Sequence, residues 1–394
     1  MNAYSRRTPL RSRPGDRQPA PPAHALPVLG ILTLYLNEKG LIEDRHVYRR
    51  MTVEGRRMGL SVIVFTPDDV DERGARIRAH RYDCDRKRWI RGTVPFPQVI
   101  YDRCRIQRSA RFRRLLQFRT QYGHLTYLNR PLRNKWTVYR ALAREDNFRS
   151  HLPETRIYEG PDDLKAMVGR YPLVYLKPVN GTGGRGILRV ERSRQPLLIV
   201  QGREQSRRII APRRMTTAAL AGLVAAWNRT GGGKYIVQQG IQLKLANGRV
   251  HDYRLLVQKN GDGEWEATGC AGRIGASGSV TSNLHGGGRA APMDELLPRW
   301  IGDREKAADV KEKASKLGTA VASYLEKTYG SLCELALDLA IDRSGHIWLL
   351  EVNPKPSREV FARIGDAATY RKAIVRPLEY ALWLYRSSKG KQES

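Results

Sequence analysis

Pro172-Leu-Val-Tyr-Leu-Lys177-Pro178 runs into Val-Asn-Gly181-Thr182-Gly183-Gly184-Arg185-Gly186 and then Ile187-Leu-Arg-Val190. The glycines match G-x-G-x-x-G at 181, 183 and 186, a weak signal until its context is read. A dinucleotide fingerprint opens a helix straight after the glycines, because the pyrophosphate rests on the helix N-terminus. Here Ile187 to Val190 reads as a strand, and Arg207, Arg208 and Ile209 stand where the ribose-binding carboxylate belongs. A Walker A loop needs Lys-Ser/Thr after its last glycine, and Ile187-Leu188 occupy those places. A protein-kinase loop has its lysine downstream and is followed by HRD and DFG, which this chain lacks. What is left is strand, glycine loop, strand, with Lys177 at the end of the first strand. With no Cβ in the way, glycine N–H groups can approach phosphate oxygens, and Lys177 adds a charge nearby. A glycine hairpin that holds no ligand is the competing reading.

A second stretch decides between them. Glu334-Leu-Ala-Leu-Asp338-Leu-Ala-Ile341 alternates, so Leu335, Leu337, Leu339 and Ile341 share one face and Asp338 takes the other. Asp342-Arg-Ser-Gly345 reads as a turn, and His346-Ile-Trp-Leu-Leu-Glu351-Val-Asn353-Pro354 as the return strand. Glu351 and Asn353 then share a face. With Ser344-Gly345 as the two central turn residues, Asp338 stands directly opposite Glu351. Opposed carboxylates repel across a strand pair. A hard divalent cation removes that repulsion, and Mg²⁺ takes such oxygen ligands alongside phosphate oxygens. The alternative is a solvent-facing polar strip. The metal reading is preferred because the pair follows a run of Ile, Trp and Leu that reads as buried.

Polar residues cluster between the two motifs. Gln238-Gln239-Gly240-Ile241 takes a strand into a turn. Asp252 and Arg254 share one face of an alternating strand, and Arg273 follows another. Asn283-Leu-His285-Gly-Gly-Gly288 is a second glycine-rich loop. Each is more often a surface feature when alone; their density beside the two motifs raises them.

The 394 residues suggest two or three packed subdomains. Residues 1–27 read as a disordered basic tail rich in Pro and Arg. Residues 28–124 read as a small α/β domain with a parallel sheet: strand from Val28, helix over Glu43–Met58, strands at Leu60–Phe65 and Gln98–Tyr101. Residues 125–388 read as an α+β domain with a returning helix over Ala367–Tyr385, and 389–394 as a polar tail. No apolar run approaches the ~20 residues of a membrane span, and the N-terminus lacks the apolar core of a signal peptide. The expected location is therefore the cytoplasm. Cys84, Cys104, Cys270 and Cys333 form no CxxC pair and no zinc spacing, so they read as isolated thiols.

The formal net charge is +31, from 70 basic and 39 acidic residues. Such a surface attracts anionic polymers. Its densest part, Arg103–Arg119, holds seven arginines. Phe112, Leu115 and Leu116 recur there at helical spacing, which predicts an amphipathic helix with a solvated basic face. No nucleic-acid-binding motif accompanies it.

Val99-Ile-Tyr-Asp-Arg103, Asn134-Lys135-Trp136, Lys177 through Gly186, Val237-Gln-Gln-Gly-Ile241, Asp252-Tyr-Arg254 and Glu351-Val-Asn-Pro-Lys-Pro356 together resemble the ATP-grasp superfamily, in its YheC/YheD-type, endospore coat-associated branch. The resemblance implies two α+β subdomains clasping ATP after a pre-ATP-grasp α/β domain. It makes Lys135 and Lys177 the ATP lysines and lays Gly181, Thr182, Gly183, Gly184 and Gly186 over the phosphates. Gln238, Gln239 and Ile241 become an adenine hinge using backbone groups. Arg254 and Arg273, with Lys177, take the catalytic positions, and Asp338, Glu351 and Asn353 the Mg²⁺ ligands. Asn283, Lys355 and Arg358 are placed toward the substrate, the last two just beyond the metal strand. One departure is that Gln238, Gln239 and Gln242 stand where many hinges carry an acidic ribose ligand. The activity implied is ligation of a carboxylate to an amine, such as an amino acid or peptide, through an acyl-phosphate. A phosphotransferase on the same fold and a nucleotide-binding, coat-associated protein with little catalysis are the alternatives. Spore association is implied with the family.

Overall fold

The computed structural model describes residues 26–71, 76–105, 109–181, 183–193, 197–206, 208–227, 229 and 233–390. The tail over 1–25, Thr182 and residues 391–394 lie outside them.

The apolar runs Val28–Leu32 (β1) and Ser61–Phe65 (β2) pair in parallel at the centre of the first sheet. They are covered on both faces, as uninterrupted apolar strands require. Helix α1 (Arg45–Arg57) packs Val47, Tyr48 and Met51 on one face. Helix α2 (Ala110–Gln121) packs Leu115 and Phe118 on the other. The sheet is completed by β3 (Arg76–Asp83), β4 (Arg88–Pro95), β5 (Val99–Asp102) and β6 (Thr126–Asn129), in the order β4-β3-β2-β1-β5-β6. It thus reaches past the boundary expected at 124. The β3–β4 hairpin was not expected, because Arg76 and Arg78 point outward on β3, only Ile77 and Ala79 are buried on the other face, and Arg81 breaks that apolar alternation. The basic helix begins at Ala110, capped by Ser109, later than expected. Leu116 is 48% exposed while Leu115 and Phe118 face the core. Its basic face is not merely solvated: Arg111, Arg114 and Arg119 pair with Glu38, Asp68 and Asp102.

After α3 (Lys135–Leu142) and α4 (Asp146–Arg149) comes a second sheet. Its strands are β7 (Thr155–Tyr158), β8 (Leu173–Pro178), β9 (Ile187–Arg192), β10 (Leu198–Arg203), β11 (Ile209–Met215) and β12 (Tyr235–Gln239). They lie in the order β11-β10-β9-β8-β12-β7, backed by α5 (Pro161–Arg170) and α6 (Thr217–Trp227) around a core of their own. The third sheet has β13 (His251–Lys259), β14 (Trp265–Ile274), β15 (Arg289–Pro292), β16 (Glu334–Ile341) and β17 (Ile347–Asn353), ordered β15-β14-β13-β16-β17. Helices α7 (Met293–Ile301) and α8 (Arg304–Tyr329) cover one face. Gly318 lets α8 lie close to β13, since a Cβ there would stand 2.5 Å from Leu255 Cδ2. On the other face α9 (Glu359–Arg363) and α10 (Ala367–Gly390) share a core with α1 and the first sheet.

The β16–β17 hairpin pairs Asp338 with Glu351, but not by the expected turn. Asp342 pairs across to His346 through a three-residue loop, with Gly345 at φ 83°. Leu350 then bulges, shifting the register back between Leu339 and Asp338. The bulge offsets the longer turn. Among the described residues no helix is long and apolar enough to cross a membrane, and the four cysteines are unpaired.

Candidate active site

The second and third sheets face each other across a cleft enclosing about 160 Å³. From the second sheet come Tyr175, Lys177, Gly181, Gly183, Gly184 and Gln238; from the third, Asp252, Arg254, Arg273, Asp338, Glu351 and Asn353. Lys135, at the start of α3, closes one side and lies 3.2 Å from Glu351 Oε2.

Strand register places the charges on the third sheet. Arg254 on β13 stands directly opposite Asp338 on β16, and Asp252 opposite Arg273 on β14. Arg254 donates to both Asp338 oxygens, Nε at 2.6 Å and Nη2 at 3.0 Å. Arg273 does the same to Asp252 at 2.7 and 2.6 Å, and its Nη2 also lies 3.1 Å from Asp338 Oδ2. Such bidentate pairs fix orientation as well as charge. Burial pushes the Asp338 carboxyl up, but Arg254 and Arg273 outweigh it and hold it below the usual range. The expected repulsion between Asp338 and Glu351 is thus already answered by cations, two arginines on one side and Lys135 on the other.

On the opposite wall Lys177 donates to Gln238 Oε1 at 2.6 Å, and Gln238 donates to Thr155 Oγ1 at 3.0 Å. Lys177 also lies over the Tyr175 ring. Burial first, and Lys135 second, lower its pKa from 10.5 to about 8. The N–H groups of Gln239 and Gly240 are bonded to Glu154 O and Leu173 O. These two N–H groups are therefore not free to donate into the cleft. The lining next to them includes Gln239, Ile241, Leu243 and Val250, and Asp252, also in the lining, is held by Arg273.

The two glycine loops meet at the mouth. Gly184 has φ 73°, and a Cβ on it would stand 2.5 Å from Asn283 Nδ2 and 3.1 Å from Thr281 Oγ1. Gly186 lies just outside the lining, against Gln205 and the Tyr235 hydroxyl. Two expected substrate residues are elsewhere. Lys355 bonds to Asp102, and Arg358 to Glu334, Tyr101 and the Ala373 carbonyl, all away from the cleft.

A family model described as YheC/D like ATP-grasp matches residues 124–384, well over half of the chain. The chain belongs to this family. Its fold is the α+β ATP-grasp fold. It is 26% identical over 340 residues to the endospore coat-associated protein YheC of Bacillus subtilis (strain 168), covering 84% of this chain and 91% of that protein. To YheD of the same strain it is 25% identical over 303 residues, covering 75% of this chain and 65% of that protein. Among solved structures, the D-cycloserine synthetase DcsG superposes with TM-score 0.52 at 14% identity, over 90% of this chain and 99% of that one. The macrocyclase MdnC of Microcystis aeruginosa MRC, bound to precursor peptide MdnA, gives 0.50 at 14% identity, over 90% and 99%. These two show the shared fold.

An ATP-grasp cleft normally takes a divalent cation with its nucleotide, and the residues present fit one. Glu351 and Asn353 project side by side, and the Asn353 Nδ2 is buried without a partner. Turning that amide places its oxygen in the same spot. A carboxylate plus an amide oxygen, completed by phosphate oxygens and water, suits Mg²⁺. Asp338 is the weaker member, because both its oxygens are held by guanidinium groups. Thr155, Tyr175 and Thr281, and the pairing of Arg254 with Asp338, carry no signal in the sequence, because their places depend on strands far apart in the chain.

Proposed function

We propose that the chain is an ATP- and Mg²⁺-dependent ligase that joins a carboxylate to an amine. The observation that carries this is one cleft with Lys135 and Lys177 beside a glycine loop, and Glu351 and Asn353 beside two arginines. The substrate carboxylate oxygen attacks the γ-phosphorus and ADP leaves with the broken P–O bond. An amine then attacks the acyl carbon, inorganic phosphate leaves, and the amine loses a proton. No side-chain nucleophile is needed, so the chain acts by positioning and charge. Mg²⁺, when bound, neutralises phosphate charge. Lys177 and Lys135 hold the phosphate chain, the glycine N–H groups cover it, and Arg254 steadies the anionic acyl-phosphate.

The names of the Bacillus relatives favour a second reading, a coat-associated nucleotide-binding protein with little turnover, acting at the spore. The basic surface suits an anionic polymer in either case. ADP release with candidate amino acids or peptides separates the two readings. Lys177→Ala and Glu351→Ala should each abolish substrate-dependent release; equal turnover in both variants would end the ligase reading.

A further inference from the structure

The segment that follows the metal strand is held from outside its own sheet. Pro354–Arg358 has no helix or strand of its own, yet it is anchored to the end of β5 at several points. Lys355 Nζ donates to the Asp102 carbonyl and lies 3.1 Å from its Oδ1. Arg103 Nη2 donates to the Pro356 carbonyl at 3.0 Å, and its Nη1 to Glu334 Oε1 at 2.5 Å. Arg358 Nη2 reaches Glu334 Oε2 at 2.7 Å and the Tyr101 hydroxyl at 3.1 Å. Asp102 and Glu334 are fully buried. Glu334 lies on β16 on the same face as Asp338, with Ala336 between them directly opposite Asn353.

Removing this many charges from water is a poor route to stability, since desolvation offsets most of the attraction. What such a network supplies is a defined position, because each guanidinium and ammonium has one arrangement that satisfies it. The position it defines is that of the chain immediately after Asn353. Ligands for a cation must be held to about half an ångström by the groups behind them.

We infer that Lys355 and Arg358, with Asp102 and Glu334, are positioning residues for Asn353 and Glu351, so that the end of β5 in the first sheet sets the geometry of the cation site. This rests on the reading of the cleft as a cation–nucleotide site. The first sheet is then part of the cation site without touching the cation.

The test uses the full chain, with ADP titrated calorimetrically without and with Mn²⁺, and Mn²⁺ binding followed by electron paramagnetic resonance. Lys355→Met leaves Asp102 paired with Arg119 at 2.7 Å, so the buried carboxylate keeps a partner. It should weaken Mn²⁺ binding in the presence of ADP by about tenfold, as loss of an outer support does at metal sites, and leave metal-free ADP binding unchanged. Asp102→Asn is the second variant if the first does not fold, and should show the same split. Wild-type Mn²⁺ affinity in a folded variant overturns the positioning role alone, as does a parallel loss of metal-free ADP binding. A wild-type protein whose ADP binding ignores Mn²⁺ overturns the cleft reading and this inference with it.

Discussion

Nucleotide affinity should fall as pH rises through about 8, because Lys177 then loses its proton. Its pKa is lowered by burial and by the neighbouring Lys135 charge. Below pH 8 the ammonium is present and attracts phosphate; above it the neutral amine does not. A bound phosphate chain raises the pKa again, so affinity drops tenfold per pH unit between the free and bound values. From pH 7 to 9.5 that is about 30-fold, or roughly 2 kcal/mol at about 1.36 kcal/mol per unit. Solvent at the rim of the cleft trims it toward about tenfold. Titration calorimetry with ADP at fixed ionic strength measures it. Lys177→Arg should hold its affinity to pH 9.5, and Lys177→Met should lose the slope. Lys135→Met should move the midpoint upward, since the repulsion that lowers Lys177 is gone. A wild-type slope that persists in Lys177→Met would refute the reasoning.

Arg273→Met leaves Asp252 without its bidentate partner and should destabilise the fold by about 3–5 kcal/mol in urea unfolding; adding Asp252→Leu should restore much of it. Gly184→Ala forces a side chain to φ 73° and against Asn283. It should cost about 1–2 kcal/mol in the loop and appear as a raised KM for ATP with little change in Tm; pairing it with Asn283→Ala should lower the KM again. Burial pushes the Asp102 and Glu334 carboxyls up, but Lys355 and Arg119, and Arg358 and Arg103, hold both below the usual range. Their stabilisation is complete above the unfolded carboxylate pKa of about 4 and is lost as pH falls through the folded values. Acid unfolding of Glu334→Gln should therefore be less steep below about pH 4 than that of wild type.

Much of the cleft was legible before the fold was known. The strand–glycine loop–strand pattern and Lys177 hold as β8, loop and β9, with Thr182 outside the described residues. Glu351 and Asn353 do lie on one face. A two-residue turn predicts the pairing of Asp338 with Glu351, and the chain makes the same pairing by a longer turn and a bulge that cancel. Lys355 and Arg358 were misplaced because proximity to the metal strand in sequence does not say which way a segment without secondary structure turns. The β3–β4 hairpin is obscured in the sequence because β3 buries only Ile77 and Ala79, and Arg81 interrupts their apolar face.

By itself the sequence determined what depends on local chemistry: the alternation that buries one face of β16, the glycine loop between two strands, and the side-by-side placement of Glu351 and Asn353. Only the tertiary structure decided which charges neutralise which. Arg254 meets Asp338 because β13 lies beside β16, and Glu334 meets Arg103 because the first sheet packs against the third. Those contacts join residues far apart in the chain. Coulomb attraction depends on distance and burial, and neither can be read along a sequence.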